Sequence, residues 1–171
     1  LAQNNMTKAL PNLSAPQKEK ILDDMWDNLG RIVGEYAFIA KENPQSLVAK
    51  YIVVPQKTLE NIEFIKQNYQ KGGIIFSGHI GNWEMGPKAF INFGFKVKTL
   101  YRPLNNKYVE DLTASMRGVE LIKKSSAGSR QIIDSLKKGD FIIILADQKT
   151  SEGDPILFFH DSAITTTSIA R

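Results

Sequence analysis

Apolar residues recur every three or four positions through Ile21, Leu22, Met25, Trp26, Leu29, Ile32, Val33, Tyr36 and Ala37, and this spacing predicts one long helix with a single apolar stripe. Ahead of it, Ser14-Ala-Pro-Gln17 predicts the helix start, with Ser14 accepting from a first-turn amide and Gln17 reaching back to Ser14. Such a stripe ordinarily faces a core, although Met25, Trp26 and Tyr36 also suit a helix lying at a lipid interface. After an extended stretch at Tyr51 to Val54, the residues Leu59, Ile62, Ile65 and Tyr69 predict a second helix closed by Gly72-Gly73.

Beyond Gly73 the pattern changes. Short apolar runs at Ile74 to Phe76, Val97 to Tyr101, Val119 to Ile122 and Phe141 to Leu145 alternate with helical spacing over 84–93, 106–116 and 129–138. Gly94 and Gly139 fall where two of those helices should stop. Alternation with short connections predicts right-handed crossovers, hence an α/β fold with a mainly parallel sheet flanked by helices. The economical division is one domain over 1–171, with a helical section at 1–70 and an α/β core at 71–171. A polar loop is predicted at Gln148 to Asp154, a short strand at Ile156 to Phe159, and a helix capped by the run Thr165-Thr166-Thr167. The chain starts on Leu1 and stops at Arg171 inside that last helix, so truncation at both ends is expected.

Composition narrows the chemistry. With 42% hydrophobic and 23% charged residues the chain is expected to fold, and its longest apolar run, Phe141 to Ala146, is six residues against the roughly 20 of a membrane-spanning helix. The absence of cysteine excludes disulfides and thiolate chemistry, and a total of two histidines, His79 and His160, argues against a histidine-rich metal site; no metal is expected. A net charge of +4 favours anionic partners. Scattered basic residues, with no Lys/Arg block, argue against nucleic acid.

The stretch Ile74-Ile75-Phe76-Ser77-Gly78-His79-Ile80-Gly81-Asn82-Trp83-Glu84 sets a histidine in a glycine-flanked turn between a strand and a helix, where α/β sheets present reactive groups. Glu84, in the first helical turn, can fold back toward the imidazole, fix its tautomer and leave the other nitrogen free to take a proton from a substrate hydroxyl. An H-x4-[D/E] match by itself arises by chance in roughly one such chain in five, and its bland reading is a helix cap with an acid offsetting the helix dipole. The ordered combination of strand, glycine turn, histidine and helix-borne glutamate is what favours catalysis. Asp147 and Gln148 follow a predicted central strand, a favoured place for site residues. Asn82 and Trp83 shape the turn, Trp83 being as suited to a core as to an acyl-pocket wall. A dinucleotide site is the competing reading of the strand, turn and helix, with Arg102 near a 2′-phosphate, but Gly78-His-Ile-Gly81 does not fit G-x-G-x-x-G.

These residues resemble the lipid A biosynthesis lauroyl/myristoyl acyltransferases, a branch of the glycerolipid acyltransferase superfamily whose hallmark is His-x4-Asp/Glu. The resemblance runs from ALPNLS near Ala9 through GHIGNWE, then YRPLNN at Tyr101 to Asn106, Arg117, LKKGD at Leu136 to Asp140, LADQ at Leu145 to Gln148 and FFHDSAITTT at Phe158 to Thr167. It implies that His79 is the general base toward a hydroxyl of a lipid A precursor, oriented by Glu84. It implies an acyl thioester on acyl carrier protein as donor, with no cofactor, and a place at the cytoplasmic membrane surface of a Gram-negative bacterium. Arg102 and Arg117 match family arginines and are expected to bind substrate phosphate or stabilise an oxyanion, a surface or structural ion pair being the alternative for each, and Asn82, Asp147 and Gln148 are further substrate-binding candidates. His160 and Ser168 stand where glycine is common in the family. An anchoring helix before this chain and further sequence after it are also implied. A glycerophospholipid acceptor, or a non-catalytic lipid- or carrier-binding remnant, are the alternatives to this function.

Overall fold

The computed structural model describes residues 2–147, 149–158 and 161–165. In chain order the elements are α1 (Ala2–Ala9), α2 (Ala15–Ile39), α3 (Pro44–Tyr51), α4 (Gln56–Asn68), β1 (Gly73–Ser77), α5 (Met85–Asn92), β2 (Val97–Tyr101), α6 (Lys107–Arg117), β3 (Glu120–Lys123), α7 (Ser126–Lys137), β4 (Phe141–Leu145), β5 (Lys149–Phe158) and β6 (Asp161–Thr165). The fold is α/β, as the alternation of periods predicts. The chain divides into two compact units, Tyr36–Leu145 and Leu1–Glu35 with Ala146–Arg171.

In the larger unit, β1 to β4 form a wholly parallel sheet in the order β1-β4-β2-β3. β4 is central, with Phe141 to Leu145 in register with Gly73 to Ser77 on one side and Phe141 to Ile143 with Val97 to Thr99 on the other. Parallel strands covered on both faces read as continuous apolar runs, which is why the segment Phe141-Ile-Ile-Ile-Leu145 shows no alternation. On one face Ile143 joins Ile62 of α4, Phe95 and Val97, with Phe90, Ile75 and Phe141 packed around them. Phe95 holds this layer together by edge-to-face contacts with Phe90 at 5.7 Å and Phe141 at 5.1 Å. Ile142 and Ile144, one residue out of phase, are buried on the opposite face.

Local signals explain most boundaries. Ser14 donates both its N–H and its hydroxyl to the Gln17 side chain, each at 2.9 Å, at the start of α2. α3 has no long apolar period to announce it, but Asn43 caps it, accepting from Ser46 N–H at 2.8 Å with Pro44 at the first helical position. Gly94 and Gly139 take φ of 87° and 84° just past α5 and α7, as expected of helix stops. Gly72 turns at φ 76° against the α7–β4 connection, where an added Cβ would collide with the Asp140 carbonyl oxygen.

Three expectations are corrected. The stripe of α2 is not a core face along its length: Ile32 and Ile39 are buried, but Trp26 is 59% and Val33 69% exposed. Periodicity sorts residues onto a face and says nothing about what covers that face. The predicted polar loop at Gln148 to Asp154 belongs, from Lys149 on, to β5, which pairs antiparallel with β6 from Asp154↔Thr165 to Phe158↔Asp161, with a register shift between Lys149 and Asp154. Backbone pairing supplied by β6 makes a strand of a segment whose Gly, Asp and Pro content reads as a turn. Thr165 accordingly ends β6 instead of opening a helix. Gln148, His160, Thr166, Thr167, Ser168 and Arg171 lie outside the described residues. No helix among the described residues is long and apolar enough to cross a membrane.

Candidate active site

β1 ends at Ser77 and delivers Gly78 and His79 into the turn before α5. Gly81 takes φ 55° in that turn, and Asn82 closes it by accepting from Glu84 N–H through its side-chain oxygen at 3.2 Å. The half-buried His79 ring packs edge to face on Trp83, centroids 4.8 Å apart at 67°. Trp83 is thus part of the histidine's seat.

Glu84 occupies the cap position of α5 but makes no side-chain cap to its own helix. Its carboxylate instead accepts two hydrogen bonds from Arg117, Nε to Oε2 and Nη2 to Oε1, both 3.1 Å. The side chains are 15% and 19% exposed, so this fork-on-fork pair is largely shielded from solvent. Arg117 is the last residue of α6, which stops at Gly118 in the left-handed conformation, φ 63°. Burial works against the Arg117 charge, but Glu84 and then Tyr36 outweigh it, and the guanidinium is held above its ordinary value.

The wall of this pair is a small cavity lined by Tyr36, Ile39, Glu84, Met116 and Arg117. Tyr36 comes from the last turns of α2. Its buried hydroxyl lies within electrostatic reach of both charges yet makes no hydrogen bond of ordinary distance and angle among the described residues. Burial first, and the Glu84 charge second, push this phenol up to about 12, so it stays protonated at neutral pH. Nearby, Lys88 on α5 is 4% exposed and donates to the carbonyls of Ile39 at 2.6 Å and Glu42 at 3.2 Å, tying the end of α2 to α5.

Tyr101, at the end of β2, sets its ring under Arg117 with the guanidinium carbon 5.4 Å from the ring centre. Its hydroxyl donates to Glu110 at 2.8 Å, and the other Glu110 oxygen accepts from Leu104 N–H at 2.9 Å. The Leu104 amide first, then the Tyr101 hydroxyl, hold the Glu110 carboxyl below its usual range. Arg102 sits between those two anchored residues and is exposed.

The structure therefore brings together Glu84 with Arg117, Asn82 with the Glu84 backbone, and His79 with Trp83. Arg102 is placed on a clamped loop, and Asp147 is exposed just past β4 in the other compact unit. Tyr36, Lys88, Tyr101 and Glu110 are contributors that the sequence pattern does not single out as site residues. The signals present for two of them are faint: Glu110 lies four residues after the Asn106 cap of α6, and Tyr36 is a polar-tipped residue on an apolar stripe.

A histidine in a glycine turn, followed by a helix whose cap residue pairs with a shielded arginine, is the setting in which the chain meets a known family. The sequence family of bacterial lipid A biosynthesis acyltransferases matches residues 1–171, the whole chain. The chain belongs to that family. Among curated proteins none matches it. Family membership assigns it an acyltransferase role in lipid A biosynthesis, with a lipid A precursor as the substrate implied. In this lipid A biosynthesis acyltransferase the segments from Gly78 to Glu84 and from Tyr101 to Arg117 carry the His79–Trp83 ring contact, the Glu84–Arg117 pair and the Arg117–Tyr101 contact.

Proposed function

We propose that this acyltransferase moves a fatty-acyl chain from acyl carrier protein to a hydroxyl of the lipid A precursor, with His79 as general base. The observation that carries the reading is the shielded Glu84–Arg117 pair at the start of the helix that follows the His79 turn. His79 removes the hydroxyl proton, and the oxygen attacks the thioester carbonyl. The tetrahedral oxyanion collapses, expels the carrier thiolate and leaves an ester; the imidazolium returns its proton to that thiolate. An ionised carboxylate has about four lone-pair sites, so Glu84 can hold Arg117 and still stabilise the imidazolium by charge and hydrogen bonding.

Arg102 and Arg117 supply positive charge for substrate phosphate and for the oxyanion, while Asn82 fixes the turn that carries the base. Asp147 and Gln148 are assigned substrate positioning from their place after β4 in the sequence alone. A net charge of +4 suits an acidic carrier protein, and the exposed Met25, Trp26 and Val33 of α2 suit a membrane surface on the cytoplasmic side of the inner membrane.

The test is transfer of labelled acyl chains from acyl carrier protein to a lipid A precursor bearing a free hydroxyl, with a lysophospholipid as rival acceptor. His79→Ala and Glu84→Ala should each lower kcat about 100-fold or more. An undiminished rate in His79→Ala would show that another group is the base, and preference for the lysophospholipid would move the acceptor to glycerophospholipids.

A further inference from the structure

The Glu110 carboxylate is spent outside its own helix. One oxygen accepts from the Tyr101 hydroxyl and the other from Leu104 N–H, so a single side chain spans the four residues Tyr101-Arg102-Pro103-Leu104. Pro103 has no N–H, which leaves the Leu104 amide as the loop's donor on the far side of Arg102. Tyr101 is pinned at both ends. Its backbone lies in register with Lys123 and accepts from Lys124 N–H at 2.9 Å, and its phenol ends on Glu110. The ring held between those points is the one beneath Arg117, the residue that grips Glu84.

We propose that Glu110 is the positioning residue for both arginines of the acyl-transfer site, holding the Arg102 loop directly and the Arg117 guanidinium through the Tyr101 ring. The inference rests on the roles assigned to those arginines above. It deepens them: recognition of the anionic acceptor and stabilisation of the reacting carbonyl share one anchor, so loss of that anchor disturbs binding and chemistry together. The competing reading is a first-turn acid that merely offsets the α6 dipole. That reading predicts a small change in melting temperature and nothing at Arg117.

The test uses the full chain and two variants. Glu110→Gln keeps size and helix position, but its amide offers one acceptor where two donors converge. Tyr101→Phe keeps the ring beneath Arg117 and cuts its tether. Steady-state acyl transfer is read together with solvent exchange of the Arg117 Nε–H by nitrogen-15 NMR. Glu110→Gln should lower kcat about tenfold and raise acceptor KM about fivefold. It should also speed Arg117 Nε–H exchange about tenfold. Tyr101→Phe should share the kcat and exchange effects with little change in KM, since the Leu104 anchor survives. Wild-type kcat, KM and exchange in Glu110→Gln overturn the proposal, as does a fall in kcat with Arg117 exchange unchanged. If Glu110→Gln fails to fold, Tyr101→Phe decides the proposal by the same kcat and exchange measurements. The wild-type chain, Glu84→Ala and Arg117→Ala run alongside: no transfer by the wild type sinks the acyl-transfer reading and leaves the exchange measurement to judge the clamp alone, whereas full activity in both variants overturns the role given to the Arg117 guanidinium and the proposal with it.

Discussion

Arg117 grips both oxygens of Glu84 at 3.1 Å across a sequence separation of 33 residues, joining the end of α6 to the start of α5. The glutamate five positions after the candidate base therefore has its geometry set by a residue from another element.

Replacing Arg117 by lysine keeps the charge and loses the fork. Transfer should fall at least about tenfold, while the melting temperature drops only a few degrees because one ionic contact survives. Arg117→Ala should be worse in both, since it leaves a shielded carboxylate without its partner, at a cost of about 1–3 kcal/mol. Calorimetry beside the acyl-transfer assay checks both.

Tyr36→Phe removes a buried hydroxyl that has no hydrogen bond of ordinary distance and angle among the described residues. Stability at neutral pH should hold or rise, against the usual loss of about 1 kcal/mol for deleting a satisfied hydroxyl. The pH dependence has a definite sign. The folded phenol titrates near 12 and the free one at 10.0, so the folded state binds more protons between those values; the stability this group contributes is intact below pH 10.0 and lost as pH rises toward about 12. Denaturant titrations across that range should show a steeper alkaline loss for the wild type than for Tyr36→Phe.

Gly118→Ala forces a side chain into φ 63° and brings its Cβ to 3.3 Å from Lys88 Cε. The left-handed conformation alone costs about 1–2 kcal/mol, or roughly 3–6 °C in melting temperature for a chain of this size. Thermal unfolding reads it directly, and an unchanged midpoint would mean the α6 stop relaxes without strain.

Lys88→Met keeps the length of the stem and removes the ammonium that serves the Ile39 and Glu42 carbonyls. The Ile39 carbonyl keeps the Glu42 N–H at 3.2 Å, so the expected loss, about 1–3 kcal/mol, comes chiefly from the Glu42 carbonyl and the lost charge-assisted bonds. Because Ile39 and Tyr36 both line the cavity beside Glu84, acyl transfer should weaken in the same variant. Unfolding midpoints and transfer rates measured on one preparation separate the two effects.

Local chemistry, and hence the sequence by itself, determined much of this protein. The longer helices followed from a 3.6-residue spacing imposed by the backbone, the buried parallel strands from short continuous apolar runs, and Gly94 and Gly139 marked stops because only glycine enters those angles at no cost. The His79 turn and the helix-borne Glu84 were legible for the same reason: strand, glycine turn and helix are neighbours in sequence. Tertiary structure alone decided what the pattern leaves open. The exposed length of the α2 stripe depends on what covers it, and β5 exists because β6 supplies its hydrogen bonds. The pairing of Glu84 with Arg117, the approach of Tyr36 from α2 and the Glu110 clamp on the Arg102 loop arise where crossovers and packing bring distant elements together. A side chain's spacing along the chain sets which face it occupies; the fold of the whole chain sets which charge it meets there.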